Sequence, residues 1–115
     1  MVRKPFIEHT ECIAGGKGPA TFHGVITGEE FGKAGCFYAK VILPPGSTVG
    51  YHQHVGDAEP YYILSGEGIF VDADGARVPI GPGDVCVIAD KEYHGIENTS
   101  ETENLEFMAL IYNYL

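Results

Sequence analysis

The 115 residues carry 16 acidic against 7 basic side chains, a net charge of −9, and 44% of them are apolar. So acidic a chain repels phosphate backbones and anionic lipid, which disfavours nucleic acid and membrane surfaces as partners, and no apolar run approaches the length of a membrane span. The length suits a single domain, residues 1–115, whose core needs no disulfide or metal staple.

At the start, "MVRKPFIEHT" has two basic residues with no apolar stretch behind them, so no secretory signal is expected. The three cysteines, Cys12, Cys36 and Cys86, are widely spaced and form no C-x-x-C pair, which together points to a reducing, cytoplasmic setting. Cys86 lies inside the apolar run "DVCVIA" and reads as a small buried hydrophobe. Residues 1–20 form an N-terminal segment. Within it "PFIEHTECI" is expected as a strand on a partner subunit or on the edge of its own sheet, and "AGGKGPAT" as a flexible loop. His9 and His23 fall in loop-like sequence and read as ordinary surface histidines.

Further on, glycine or proline interrupts almost every window of about 10 residues, so no long helix is predicted. Short β-branched and aromatic runs fill the gaps: "CFYAKVIL", "PYYIL", "GIFV", "ARVPI", "DVCVIA" and "NLEFMALIYNYL". This pattern predicts an all-β sandwich or barrel with little or no helix. In "CFYAKVIL", Phe37, Ala39, Val41 and Leu43 share one face, and Tyr38, Lys40 and Ile42 the other. "LPPGS" and "IGPGD" read as turns, and Asp74-Gly75 as the turn of a hairpin. The last run is apolar on both faces, with Leu105, Phe107, Ala109 and Ile111 alternating with Met108, Leu110 and Tyr112. Two explanations stand: a central strand whose outer face lies under the N-terminal segment, or a homodimer interface, which is the one expected.

"GYHQH" places two histidines with the same strand parity, so His52 and His54 point one way and Gln53 the other. Their Cα atoms should lie about 6.6 Å apart, close enough for both imidazoles to reach one ion. The turn "VGDAE" brings Glu59 beside them, and Tyr61, of the same parity as Glu59, is expected to line the pocket. Tyr51 and Tyr93, each just before a histidine of the set, should face away. His94, closing a later strand-turn-strand unit, is the fourth candidate.

These residues carry a resemblance. Gly46, five residues, His52-x-His54, four residues, Glu59, six residues and Gly66 resemble the complete first motif of the cupins. Gly83, His94 and Asn98 match the second motif, while Ala89 and Lys91 stand where that motif has proline and glycine. Both are turn positions, so the departure bears on the shape of that loop more than on ligands. The resemblance implies a double-stranded β-helix of jelly-roll type with one open mouth, and His52, His54, Glu59 and His94 as ligands of one divalent metal ion. Three histidines and one carboxylate leave two octahedral positions open, which suits Mn, Fe, Co or Ni; tetrahedral Zn would have none open and would be structural. Short single-domain members resemble oxalate decarboxylase-type proteins, so Mn is the expected ion. The function implied is a metal-dependent enzyme using Lewis-acid or dioxygen chemistry on a small oxyanion, as a decarboxylase or dioxygenase. The alternative is a non-catalytic module that binds or senses a small ligand or sugar.

Overall fold

The computed structural model describes residues 1–114. Ten strands run in chain order: β1 Phe6–Glu11, β2 Pro19–Ile26, β3 Gly35–Leu43, β4 Thr48–Gln53, β5 Asp57–Ser65, β6 Gly68–Val71, β7 Arg77–Ile80, β8 Val85–Ile88, β9 Tyr93–Glu97 and β10 Leu105–Asn113. Helix is limited to a 3-10 turn, Ile13–Gly15, and one short α-helix, α1, Gly28–Phe31. The strands form an all-antiparallel pair of sheets, a larger one in the order β1-β2-β3-β10-β5-β8 and a smaller one in the order β4-β9-β6-β7. This is the expected all-β jelly roll.

Alternation builds the core. Ala39, Val41 and Leu43 of β3, Ile63 of β5 and Leu105, Phe107 and Ala109 of β10 turn inward from the larger sheet. Val49, Phe70 and Ile96 meet them from the smaller one, and all are buried. Cys86 lies in the same cluster, as expected, and its burial pushes its thiol up to about 11, helped by the charges of Asp84 and Asp72. The hairpin at Asp74-Gly75 also forms, with the Gly75 amide donating to the Asp72 carbonyl at 2.8 Å.

Three expectations need correction or sharpening. Residues 20–26 are not loop: they belong to β2, which pairs with β3, so His23 sits on a strand, as does His9 on β1. β-branched and aromatic residues on both sides of Gly24 outweigh that single breaker. β1 pairs with β2 of its own chain from Phe6↔Gly24 to Glu11↔Pro19, at the edge of the larger sheet. Consequently β1 extends the sheet beyond β2 and does not cover β10, whose outer Met108 and Leu110 remain half-buried. β10 is nonetheless central, hydrogen-bonded to β3 on one side and β5 on the other.

Asn98 shows what a motif residue outside the ligand set does. Its buried side-chain amide donates to the carbonyls of Leu43 and Glu103 at 2.9 and 2.8 Å, and its Oδ1 accepts from the Ser100 amide at 3.0 Å. It thereby ties the ends of β3, β9 and β10 together. Asn98→Ala leaves two inward-facing carbonyls without their donor and should cost about 3 kcal/mol, read as a lowered urea midpoint with an unchanged slope. A loss below about 0.5 kcal/mol would mean that water replaces the amide at no cost.

Candidate metal centre

Strand pairing assembles the site. β4 and β9 run side by side with His52 opposite His94, while Glu59 comes from β5 in the other sheet. His54 follows β4 immediately, and its backbone is held by β9's approach: its amide donates to the Glu92 carbonyl at 3.0 Å, and its carbonyl accepts from the Lys91 amide at 2.7 Å. Lys91, standing where the cupin motif has glycine, adopts a left-handed backbone with φ 70. The loop therefore keeps the shape a glycine would give, at the cost of placing an L side chain where it is disfavoured. Gln53 turns outward and donates to the Lys91 carbonyl at 2.9 Å. Tyr51 and Tyr93 also face away, exposed and stacked with ring centroids 5.5 Å apart.

The four predicted donors converge. His52, His54, Glu59 and His94 each present one ligand atom, and all four lie within 4.8 Å of one another. His54 Nε2 is 3.1 Å from Glu59 Oε1, and His94 Nε2 is 3.2 Å from it. His94 Nε2 lies 3.1 Å from His54 Nε2 and 3.2 Å from His52 Nε2. Donor atoms 3.1–3.2 Å apart are close enough to share one ion with bonds of about 2.1 Å.

Hydrogen bonds behind the imidazoles set their tautomers. His52 Nδ1 donates to the Gly50 carbonyl at 2.7 Å, and His54 Nδ1 to Asp57 Oδ1 at 2.7 Å. With Nδ1 so engaged, both rings can offer the Nε2 lone pair to a cation at the common centre, whereas without a cation a protonated His54 donates from Nε2 to Glu59. The carbonyl of Gly50 can serve because that residue is glycine: a Cβ there would lie 2.2 Å from the Ala14 carbonyl oxygen of the 3-10 turn packed above it. His94 is fully buried, and among the described residues its Nδ1 has no hydrogen-bond partner.

The electrostatics follow. Burial pushes the Glu59 carboxyl up, but its hydrogen bonds to His54 and His94 and their charge outweigh that and hold it below the usual carboxylate range. Hydrogen bonding to Glu59 raises His54, whereas burial lowers His94. Tyr61 lines the cavity as predicted, buried, with its hydroxyl donating to Glu59 Oε1 at 3.3 Å. Burial first and the Glu59 carboxylate second push its pKa well above the ordinary phenol value, so it acts as a standing donor.

Above the donors lies a cavity of about 160 Å³. His52, His54 and Glu59 line it and His94 does not, so it meets the donor set on the face made by the first three. Its walls are Ile13, Phe22, Phe37, Val41, Val49, Tyr61, Phe107, Ala109 and Ile111. Strand parity puts Phe37 and Val41 on one face and Phe107, Ala109 and Ile111 on one face, and these are the faces that turn inward. Ile13 ends the expected strand "PFIEHTECI" with no face assigned, and Phe22 lies beside the loop-like sequence around His23, so neither carried a signal for the cavity. Asp57, which orients His54, was also missed; its place in the turn "VGDAE" was the only hint.

The cupin domain profile matches residues 39–111, well over half of the chain. This chain belongs to the cupin domain family. The cupin is 45% identical over 104 residues to an oxalate-binding protein of Thermotoga maritima, covering 90% of this chain and 84% of that one. Its fold superposes with TM-score 0.89 and 44% identity on a crystal structure described as that of a predicted oxalate decarboxylase from Thermotoga maritima, covering 99% of both chains. The polyketide cyclase RemF from Streptomyces resistomycificus shares the fold at TM-score 0.76 but only 19% identity, covering 97% of this chain and 80% of that one. The cupin thus has a fold used for several chemistries, and its function has to be argued from its site.

Proposed function

We propose that this cupin is a metal-dependent enzyme acting on a small oxyanion, by decarboxylation of the oxalate decarboxylase type or by dioxygenase chemistry, with manganese as its ion. The observation that carries this reading is the meeting of three imidazole nitrogens and one carboxylate oxygen within 4.8 Å of one another, open to a cavity on one side. A divalent cation held there would polarise a bound oxyanion as a Lewis acid. His52, His54, Glu59 and His94 would hold it, and Asp57 and the Gly50 carbonyl would keep two of the rings in the correct tautomer. Three histidines and one carboxylate leave two octahedral positions open on Mn, Fe, Co or Ni, whereas tetrahedral Zn would have none open for a ligand. The descriptions of the Thermotoga maritima sequence and of the Thermotoga maritima crystal structure support an oxyanion such as oxalate as ligand.

A second reading, a non-catalytic module that binds or senses a small ligand or sugar, has its own support. Among the described residues lining the cavity, only the ligand set and Tyr61 carry titratable groups, and the Tyr61 hydroxyl is engaged with Glu59. No side chain is left over as a general acid or base.

One domain over residues 1–115, a cytoplasmic setting and a homodimer complete the proposal. Tyr62 and Leu64 of β5 and Val85 and Val87 of β8 form an exposed apolar face on the outside of the larger sheet, continuous with half-buried Met108 and Leu110, which suits a second copy of the chain. The test is to isolate the protein, identify its bound ion by elemental analysis, and assay oxalate and a panel of small hydroxy and keto acids for turnover with and without oxygen. Exchangeable manganese with turnover is expected. Exchangeable metal with binding and no turnover on oxalate or small keto acids moves the conclusion to the second reading, and tightly held zinc without ligand binding overturns both.

A further inference from the structure

The cavity is more apolar than oxalate requires. Its volume of about 160 Å³ holds roughly five waters, and its outer wall is only half-buried, so a side chain on a small chelating head would run along that wall toward the mouth. Beyond the donors and Tyr61, its lining is aliphatic or aromatic, and among the described residues no lysine or arginine faces into it. Four half-buried residues from different elements ring the outer part: Ile13 of the 3-10 turn, Phe22 of β2, Phe37 of β3 and Ile111 of β10. Phe22 and Phe37 meet edge to face with centroids 5.1 Å apart, and Ile111 pairs with Phe37 across the β3–β10 ladder. This wall is built by packing, and it has no group that could partner a second carboxylate.

Resting on the metal-centre reading above, we infer that the ligand of this site is a 2-oxo or 2-hydroxy monocarboxylic acid with an apolar side chain of several carbons. One carboxylate oxygen and the 2-oxygen form the chelating end. The side chain lies against Phe22, Phe37 and Ile111. Oxalate occupies the same chelating end but turns its two outer oxygens toward apolar walls, where an ionised carboxylate without a partner is disfavoured. A hydrocarbon tail in that position is favoured, because apolar burial strengthens with every methylene. The acidic surface of the chain adds to the discrimination, since a monoanion is repelled less than a dianion.

The experiment is a calorimetric titration of the Mn²⁺-loaded protein with a series that keeps one chelating head: pyruvate, 2-oxobutanoate, 2-oxopentanoate and 4-methyl-2-oxopentanoate, with oxalate alongside. Affinity is expected to rise two- to fourfold per added carbon, and about 8- to 60-fold over the three carbons from the first member to the last. Ile111→Thr, which keeps a β-branched residue on the strand, should flatten the rise while metal stoichiometry stays unchanged. A flat or falling series on a protein that still binds metal and oxalate overturns the inference and leaves the metal centre standing. A protein that takes up none of Mn²⁺, Fe²⁺, Ni²⁺ or Zn²⁺ overturns both.

Discussion

His54→Ala abolishes metal retention. The side chain supplies one donor, and its Nε2 stands 3.1 Å from both Glu59 Oε1 and His94 Nε2, at the middle of the cluster. Disturbing residues that merely orient metal ligands costs 10- to 100-fold in affinity in general, so loss of a ligand itself should cost at least about 100-fold. Elemental analysis after dialysis against a buffer without chelator reads the result directly; unchanged metal content would refute the ligand assignment. The metal-free variant should also be less stable, because Glu59 is buried and loses the strongest of the bonds that keep it charged. His94 at 3.2 Å and Tyr61 at 3.3 Å remain, so the loss should be about 1–3 kcal/mol rather than that of an unpaired buried charge. His23→Ala, on β2 and outside both the donor set and the cavity lining, is the matched control and should change neither quantity.

Much of this centre was legible in the residues because its determinants are local. The parity of His52 and His54 needs nothing beyond strand alternation, and the short turn to Glu59 keeps the third donor close in sequence. His94 is more distant, yet it falls opposite His52 in the ladder of β4 and β9, and the spacing of the second motif marked it. The walls were half legible. Phe37, Val41, Phe107 and Ala109 follow from alternation along β3 and β10, whereas Ile13 reaches the cavity only because the 3-10 turn packs on Gly50, a contact between segments far apart in the chain. The strand over residues 19–26 is obscured in the sequence by the glycines and proline of "AGGKGPAT" before it and by Gly24 within it. The four residues after it, "TGEE", hold a usable signal: Thr27 and Glu30 form a reciprocal capping box at the start of α1. Lys91 shows the opposite limit. Its side chain argues against a left-handed turn, and only the bonds from its amide to the His54 carbonyl and from Gln53 to its own carbonyl hold it there.

Phe107→Ala should be the most destabilising substitution in the core, and its effect should reach the site. The ring is fully buried on the central strand β10, between Val41 of β3 and Ile63 of β5 in the ladder. Its centroid lies 4.5 Å from that of Tyr61. Removing a buried phenyl forfeits its transfer free energy and leaves a void that a strand bonded on both sides cannot close, for a loss of about 3–5 kcal/mol. Against a typical total of about 5–15 kcal/mol, that is a large share, and chemical denaturation should show the midpoint falling steeply. The void opens directly onto the cavity, which Phe107 lines together with Tyr61. Tyr61 then loses the surface that holds its ring, and with it the direction of the hydroxyl that donates to Glu59. Metal affinity should therefore fall by a few-fold, far less than in His54→Ala, because every donor is still present. Phe107→Leu separates the two effects: it refills part of the void and should recover most of the metal affinity while remaining about 1–2 kcal/mol less stable than the native chain. A stability loss below about 1 kcal/mol in Phe107→Ala would mean that β10 can collapse onto the vacated volume, and the rigid wall assigned to it would have to be abandoned.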